Sequence, residues 1–477
     1  MKSNTILTTF ILLLSTVCMA CSALVLKKDQ QIFMGKNFDW TFGDGYLIKN
    51  IRGVQKQAFI TYTGIPTKWI SKYGSITFNQ NGKEMPYGGM NEKGLTIEML
   101  WLEFTNYGDS SGKNYLNELE WIQYQLDNFE SINEVLENLN KLQIRPIKGK
   151  IHYILADSSG NSVVIDFINN KTIVTNKMAH ECQAITNYPA TTSQLNYNKQ
   201  IGKLKGNNSS HLHRYNVLQR ELEAIQFKNI PITVDAVFES LENVKISKGK
   251  FKTYWSIAYD IKQKLIYFKT ESCDKVKQMD IKLFNFEHEI TACLINTKEK
   301  GSLNTKFKPY DVPANTDLLK ISLLGLGLNL LEPVELSQHQ FYFNSNQDNS
   351  YVRNYTTLVL LFKTIDSSLA YINFAIIASE ENFLNQIPIA GGANGYNIDS
   401  NEYTWLLYGV QKGPYCVAVV QDKNRNRKID LNEMGVAIEK YAFSKNCRLG
   451  DGKYPKFMDC SVPCATEKTE FELILSY

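Results

Sequence analysis

The sequence predicts an α+β fold for the longer, amino-terminal part of the chain and a smaller β-sandwich after it. Apolar runs at 151–156 and 162–167 flank the polar turn Asp-Ser-Ser-Gly-Asn, which is typical of a β-hairpin. Residues 117–127 and 132–142 show helical spacing of apolar side chains, and a Ser-x-x-Glu capping box opens the second segment. Short strand-like segments with turn signals fill the end of the chain, which favours a sandwich there.

Length and composition describe an ordinary soluble globular protein with more than one domain. Its 477 residues exceed the roughly 100–200 residues that are usual for one domain. Hydrophobic residues make up 43% and charged residues 21% of the chain, and a net charge of +4 is too small to indicate a nucleic-acid partner. We therefore expect a signal peptide at 1–20, a first domain at 21–330, a polar linker at 331–355 and a β-sandwich domain at 356–477.

The first twenty residues have the layout of a secretory signal peptide. Lys2 precedes an apolar run at 6–17, and the small residue Ala20 stands before the expected cut. The run of about 12 residues is too short to span a bilayer. We expect an exported protein, periplasmic or secreted, whose mature chain begins at Cys21 and has no transmembrane segment.

A mature chain that begins with cysteine carries two reactive groups on one residue. Its thiol is a nucleophile, and its α-amine, with a pKa near ~8, can act as a general base around neutral pH. A second interpretation stays open, because small residues followed by cysteine also resemble a lipoprotein signal in which the thiol is lipidated. Such signals usually have an aliphatic residue three positions before the cysteine, whereas this chain has Cys18 there and bulky Met19 next.

The segment that starts at Cys21 reads as the first strand of a hairpin. Apolar residues alternate on both sides of the polar break Lys-Lys-Asp-Gln at 27–30. A turn centred on residues 28 and 29 would place Lys36 directly across from Cys21. An ammonium at that position favours the thiolate, and Asp39 follows closely enough to hold the α-amine.

Five short motifs follow one another in the first domain. They are Cys21-Ser-Ala, Gly35-Lys36-Asn37-Phe38-Asp39, Gly88-Gly89-Met90-Asn91-Glu92-Lys93-Gly94-Leu95, Ile185-Thr186-Asn187 and His213-Arg214-Tyr215. In this order and spacing they resemble the linear amide C–N hydrolases that include choloylglycine (bile salt) hydrolases and penicillin V acylases. The resemblance runs from the first cysteine to about residue 330, and it implies the αββα sandwich of amino-terminal nucleophile hydrolases.

The resemblance also implies a role for each matching residue. Cys21 attacks the amide carbonyl with its own α-amine as base, and Asp39 positions that amine. Asn187 donates to the oxyanion of the tetrahedral intermediate, and Arg214 supports the charged centre. Lys36 stands where bile salt hydrolases have arginine, which keeps the positive charge but loses the bidentate fork.

Trp101 marks a departure from the bile salt hydrolases. Counting from the Gly-Met-Asn-Glu motif, this position is an asparagine of the oxyanion region in those enzymes. An indole N–H can donate one hydrogen bond, but its bulk narrows a pocket. We therefore expect Trp101 to contact the substrate. Its bulk also puts bile salts in doubt as substrates.

The first domain is thus expected to hydrolyse a linear amide of an N-acylated small molecule of the bile salt, penicillin V or N-acyl amide type. The chemistry needs no cofactor, and the partner is the small-molecule substrate; a homo-oligomer is left open. The alternative is a lipid-anchored, non-catalytic surface binding protein on the same scaffold.

The end of the chain carries the segment Asp422-Lys-Asn424-Arg-Asn426-Arg427-Lys428-Ile-Asp430, followed by Gly435, Glu439, Phe443 and Ser444. With these residues the chain from about residue 356 resembles a second family, a secreted bacterial β-domain of unknown function. Its Asp-x-Asn-x-Asn segment is also spaced like a calcium loop. The candidate oxygen ligands are the side chains of Asp422, Asn424, Asn426, Asp430 and Glu433, together with the backbone carbonyl of Lys428. Arg427 replaces the glycine that such a loop needs for its sharp turn, so a solvated polar turn is the alternative.

Nine cysteines are present in the sequence, and Cys18 leaves with the signal peptide. Cys447, Cys460 and Cys464 cluster near the end of the chain, and disulfides among them, or with Cys416, are expected after export. The sequence leaves their connectivity open.

Overall fold

The computed structural model describes residues 21–477 except for fourteen short stretches and gaps. The residues outside the description are 1–20, 59–64, 109–112, 148, 178–181, 200–205, 228–230, 326–354, 367–371, 385–389, 395–400, 425, 427, 451–452 and 467. The signal peptide and nearly all of the expected linker therefore lie outside the described residues. In the part that is described, no helix has both the length and the apolar composition needed to cross a bilayer.

The amino-terminal part alternates strands and helices. Its strands are β1 (Ser22–Lys28), β2 (Gln31–Trp40), β3 (Tyr46–Asn50), β4 (Gln55–Gln57), β5 (Lys68–Ile70), β6 (Ser75–Asn79), β7 (Pro86–Asn91), β8 (Thr96–Trp101), β9 (Tyr115–Leu116), β10 (Gln143–Ile144), β11 (Ile151–Ala156), β12 (Ser162–Ile168), β13 (Lys171–Lys177), β14 (Gln183–Thr186), β15 (Lys252–Asp260), β16 (Leu265–Thr270), β17 (Cys273–Asp280), β18 (Thr291–Leu294), β19 (Gly301–Ser302) and β20 (Lys308–Pro309). Its helices are α1 (Glu120–Asn128), α2 (Ile132–Asn138), α3 (Ala190–Lys199), α4 (His211–Phe227), α5 (Val234–Asn243) and α6 (Val312–Gly325), with a 3₁₀ turn at Ile281–Leu283.

Two large sheets organise this part. The first sheet has the strand order β14-β1-β2-β15-β16-β17-β19, and the second has the order β13-β12-β11-β8-β7-β6-β3-β18-β20. β1 lies inside the first sheet and pairs antiparallel with β14 on one side and β2 on the other. The hairpin expected at 151–156 and 162–167 is confirmed as β11 and β12, with Ala156 opposite Ser162.

The sheets pack face to face with helices on their outer faces. On β1, Ala23 and Val25 contribute to the core between the sheets, whereas Leu24 and Leu26 face a second cluster formed with α4 and α5. The alternation follows from the two-residue period of a strand. On the far side, α1 packs against β7 and β8. The predicted α+β fold is confirmed, and its layers are helix, sheet, sheet and helix.

The hairpin of β1 and β2 has a different register from the expected one. Ala23, and not Cys21, lies opposite Lys36, because Asp29 and Gln30 form the turn. Asp29 adopts a φ of 54°, a left-handed conformation that Asp tolerates at turns. The expected pairing was therefore wrong by two residues. An even shift keeps side chains on the same face of the sheet, so Lys36 still shares the face of Cys21.

A buried ion network joins the β4–β5 hairpin to α1. Lys56 Nζ lies 2.6 Å from Glu84 and 2.9 Å from Asp127, and Lys83 Nζ lies 2.7 Å from the other oxygen of Glu84. These four side chains are at most 2% exposed. Burial opposes the ionised form of Glu84, but Lys56 and Lys83 lower the pKa of its carboxyl below the ordinary value. Two lysines thus balance two carboxylates away from water.

We expect Lys56→Met to destabilise the protein by about 3–5 kcal/mol, because it leaves a buried carboxylate without its counter-charge. Denaturant unfolding measures the loss. Lys306→Met is the control, since Lys306 forms an exposed pair with Glu299 at 3.1 Å that should contribute about 0–1 kcal/mol. Equal losses in the two variants would contradict the structural role of the network.

The carboxy-terminal part is built from short strands, as expected. They are β21 (Tyr355–Lys363), β22 (Ile372–Ile377), β23 (Ala390–Asn394), β24 (Glu402–Gln411), β25 (Gly413–Gln421), β26 (Tyr441–Phe443), β27 (Val462–Cys464) and β28 (Lys468–Ile474), with helices α7 (Glu380–Leu384) and α8 (Phe457–Cys460) and a 3₁₀ turn at Ser444–Asn446. One sheet has the order β24-β21-β28 and the other β23-β22-β25-β26, with β27 also paired to β25. Leu360 of β21 and Ile376 of β22 belong to one shared core, so the two sheets face each other. The domain boundaries stay a prediction.

Candidate active site

Cys21 precedes β1 and is buried between the sheets, with 3% of its surface exposed. Its Sγ donates to the backbone oxygen of Asp39 at 3.7 Å. Burial raises the pKa of the thiol to about 11, although the cations of Lys36 and Arg214 act to lower it and the carboxylate of Asp39 acts to raise it. In a chain with residues 1–20 attached, the thiol is therefore protonated at neutral pH.

Asp39 lies one strand away, near the end of β2. Its Oδ1 accepts a hydrogen bond of 2.5 Å from the hydroxyl of Thr253, which is its partner residue on β15. Its Oδ2 is buried and has no hydrogen-bond partner among the described residues. Burial raises the pKa of this carboxyl to about 7, while Arg214, Thr253 and Lys36 act to lower it.

Arg214 reaches Cys21 from the first turn of α4. A helix-surface arginine is usually exposed, but this guanidinium is fully buried. Its Nη1 donates to the backbone oxygen of Cys21 and to Oγ of Ser22, each at 2.6 Å. Its Nη2 donates to Oδ1 of Asn187 at 3.0 Å. Arg214 thus holds the backbone of Cys21 and the amide of Asn187 together.

Asn187 is placed by the pairing of β14 with β1, in which Thr186 lies opposite Ser22. Because the Arg214 guanidinium has only donors, it fixes Oδ1 of Asn187 as the acceptor and Nδ2 as the donor. One N–H of Nδ2 points to the backbone oxygen of Trp101 at 2.8 Å. The amide nitrogen has a second N–H, which is the type of donor an oxyanion requires.

Lys36 carries its ammonium inside the sandwich. The side chain is 1% exposed, and Nζ lies 2.6 Å from Oε2 of Glu98. Nζ also lies 5.5 Å from the ring centre of Phe38. Its cation acts to lower the pKa of the Cys21 thiol, although burial makes the net shift upward. The carboxylate of Glu98 opposite it was not expected.

Trp101 lies beside Asn187 at the end of β8. Its indole N–H donates to Oε2 of Glu103 at 3.1 Å, and its backbone oxygen accepts from Asn187. The ring is half-buried and packs against the core between the sheets. Contact between Trp101 and a substrate stays a prediction.

Sequence reasoning missed three residues of this site. Ser22 accepts a hydrogen bond from Arg214, and Thr253 donates one to Asp39. Glu98 forms an ion pair with Lys36. A charged residue inside the apolar strand Thr-Ile-Glu-Met-Leu was a readable signal for Glu98, because buried carboxylates are seldom left unpaired. The contacts of Ser22 and Thr253 depend on distant segments and left no comparable pattern.

The expected calcium loop is a turn closed by its own side chains. Asp430 accepts hydrogen bonds from Nδ2 of Asn424 at 2.5 Å and from Nδ2 of Asn426 at 2.8 Å. Oδ1 of Asp422 accepts from the backbone N–H of Asn426 at 3.0 Å. Arg427, the replacement for the loop glycine, lies outside the described residues.

The last expected ligand, Glu433, is exposed, whereas buried Glu439 accepts from the backbone N–H of Lys423 at 2.6 Å. Across the described ranges, no three His, Cys, Asp or Glu side chains come together as a metal site. Calcium binding stays a prediction.

The eight described cysteines carry free thiols in this structure. Cys416 and Cys460 are buried in one apolar cluster, and half-buried Cys447 packs against it. The fold thus brings together three of the four cysteines for which disulfides were expected, and their pairing stays open.

The sandwich of two sheets between helical layers, with a buried cysteine at the start of an inner strand, has the architecture of amino-terminal nucleophile hydrolases. A family model described as linear amide C–N hydrolases, choloylglycine hydrolase family, matches residues 21–293, more than half of the chain. The chain belongs to this family.

A known relative agrees with this placement. A penicillin V acylase from Pectobacterium atrosepticum is 31% identical over 156 residues, which cover 29% of this chain and 41% of that protein. The matched part thus spans less than half of that relative.

Solved structures show the same fold. A penicillin V acylase from Agrobacterium tumefaciens superposes with a TM-score of 0.53 at 24% identity and covers 61% of this chain and 98% of its own. A variant of the conjugated bile acid hydrolase from Clostridium perfringens gives a TM-score of 0.51 at 20% identity and covers 58% of this chain and 97% of its own.

The carboxy-terminal part matches a second family model. This model, of an uncharacterized protein family conserved in bacteria (DUF2141), matches residues 362–472.

Proposed function

We propose that the protein is an exported cysteine amidohydrolase that cleaves a linear amide bond of an N-acylated small molecule through Cys21 at its mature amino terminus. The observation that carries the proposal is the convergence of three distant segments on this residue. Asp39, Asn187 and Arg214 all bond Cys21 or each other in the buried interior. Named relatives act on penicillin V or conjugated bile acids, and a substrate of that type, an acyl group on a small amine, fits the proposal.

In the proposed reaction, Cys21 supplies both the nucleophile and the base. Cleavage after Ala20 converts the nitrogen of Cys21 from an amide into an amine with a pKa near ~8. The amine takes the thiol proton as sulfur attacks the substrate carbonyl, which overcomes the high pKa of a buried thiol.

Asp39 is the residue that would hold the new amine. The buried Oδ2 of Asp39 lacks a partner in the described part of the chain, and an ammonium is the group that would complete it. The same ammonium would lower the pKa of Asp39 from its value of about 7 and would favour the carboxylate.

The attack generates an oxyanion that needs a donor. The second N–H of Asn187 Nδ2 is proposed to donate to it, with Arg214 fixing the orientation of the amide. Collapse of this intermediate breaks the C–N bond, and the α-ammonium gives its proton to the departing amine. Water then attacks the thioester and gives a proton to the α-amine. Collapse of this second tetrahedral intermediate breaks the C–S bond, releases the carboxylic acid and returns the proton from the α-ammonium to the sulfur of Cys21.

We expect the exported protein to begin at unmodified Cys21 and its thiol to titrate below about 11, the pKa found with the peptide bond intact. The new cation beside the sulfur stabilises the thiolate. Intact mass and amino-terminal sequencing test the terminus, and the pH dependence of iodoacetamide alkylation tests the thiol. Unprocessed Cys21→Ala protein is the background control for labelling of other cysteines.

Two results would overturn the proposal. An added diacylglycerol and acyl mass on Cys21 would support the lipid-anchored binding protein, because a thioether has no free nucleophile. A cut at another position would leave Cys21 without its amine and remove the proposed base.

A further inference from the structure

The ion pair of Lys36 and Glu98 connects the two sheets in the core of the sandwich. Lys36 projects from β2 of the first sheet, and Glu98 projects from β8 of the second. Their charged atoms lie 2.6 Å apart, and each side chain is 1% exposed. Lys36 lies in the hairpin that follows Cys21, the proposed nucleophile. Its ammonium therefore already has a carboxylate partner inside the protein.

The surrounding residues accommodate and fix Glu98. Its Oε1 accepts a hydrogen bond of 2.5 Å from the hydroxyl of Tyr259, so both carboxylate oxygens have partners. Gly88 lies directly opposite on β7. A Cβ at that position would stand 2.2 Å from the carboxyl group of Glu98. The backbone thus leaves the space that this side chain occupies.

The Lys36 cation of this pair also acts on Cys21. Lys36 shares the inner face of its hairpin with Cys21, and its cation lowers the thiol pKa. The other charged groups that act on this thiol are Asp39 and Arg214.

We infer that Glu98 is a positioning residue that keeps the Lys36 ammonium in place beside Cys21 and withholds it from the substrate. This inference rests on the proposed function and deepens it. A buried ammonium is stable only with a counter-charge, which Glu98 supplies. An ammonium already paired in the core is a poor anchor for a substrate carboxylate. Lys36 therefore stabilises the thiolate and does not bind the substrate.

The first test uses the exported protein and needs no substrate. Glu98→Gln should raise the midpoint pH of Cys21 alkylation by about one unit, because burial without a counter-charge disfavours the ammonium form of lysine. Lys36→Met should raise it by a similar amount. The double variant should also show a rise of about one unit, and not the sum of both rises. The effects do not add because each substitution removes the same cation from beside the thiol.

A midpoint that stays unchanged or falls in Glu98→Gln would overturn the inference. Lys56→Met is the matched control, since Lys56 is an equally buried lysine in an ion pair of 2.6 Å with Glu84. It should lower stability without moving the midpoint. A thiol that cannot be alkylated in the unsubstituted protein would contradict the proposed function, and this inference with it.

The second test compares two substrates that differ in one group, the carboxylate of phenoxyacetyl-glycine and the hydroxymethyl group of phenoxyacetyl-ethanolamide. Lys36→Met should reduce kcat/KM for both by the same factor, because the lysine acts through the nucleophile. A loss about tenfold larger for the glycine compound would show that Lys36 anchors the carboxylate, and would overturn the inference. If neither compound is hydrolysed, the proposed function fails on these substrates, and the alkylation midpoints still decide the role of Glu98.

Discussion

Cys21→Ala is expected to abolish amide hydrolysis, with a loss of about 10⁴-fold or more, while the protein still folds. The sulfur is the proposed nucleophile, and alanine keeps the α-amine but offers no atom that can form the acyl intermediate. The contacts of Arg214 and Ser22 at this point involve backbone and neighbouring groups, so they survive the substitution. Hydrolysis is measured by release of the free amine, and folding by circular dichroism.

Cys182→Ala is the matched control for this experiment. Cys182 is also buried, with 6% of its surface exposed, and its Sγ accepts from the backbone N–H of Lys27 at 3.4 Å on the helical side of the first sheet. This variant should retain activity. If Cys21→Ala, with processing confirmed by mass, still hydrolyses the amide, the central claim is wrong.

Asn187→Ala is expected to reduce kcat by about 10²–10³-fold, the usual cost of removing one oxyanion donor. The acceptor of Arg214 Nη2 is lost in the same variant. Removing one partner of a buried hydrogen bond costs about 1–3 kcal/mol, so stability should fall as well. Steady-state kinetics and thermal unfolding together separate the two effects.

Asn187→Asp tests whether Asn187 donates a hydrogen bond to the oxyanion or only accepts one from Arg214. Aspartate keeps an oxygen for Arg214 but removes both N–H groups, so it should restore stability while kcat stays as low as in Asn187→Ala. Recovery of kcat with aspartate would contradict the oxyanion role and would assign Asn187 to positioning alone.

The fold could be predicted from local patterns because its hairpins and helices have local causes. The polar turn at 157–161 fixes one hairpin, and Ser131 caps α2 by accepting from the N–H of Glu134 at 3.4 Å. Helix ends were less certain: the segment expected at 132–142 ends as a helix at Asn138. The termination depends on packing, which spacing alone does not report.

The site was predicted unevenly. Cys21 and Asp39 follow from sequence neighbours in one hairpin, and the two-residue error in register did not change the face of Lys36. Arg214 required the family resemblance, because its burial depends on how α4 packs on β14 and β1. Glu98 could not be paired from sequence, since its partner lies on the opposite sheet and 62 residues away.

Chain termini are usually the least ordered part of a protein. If the chain is cut before Cys21, its new end would be the start of a strand that Ser22 joins to both neighbours, opposite Thr186 and Asn37. Such an end cannot fray without breaking hydrogen bonds on two sides at once. The proposed catalytic amine would then lie one residue from a position that is paired on both sides, so little orientational freedom remains to be lost when substrate binds.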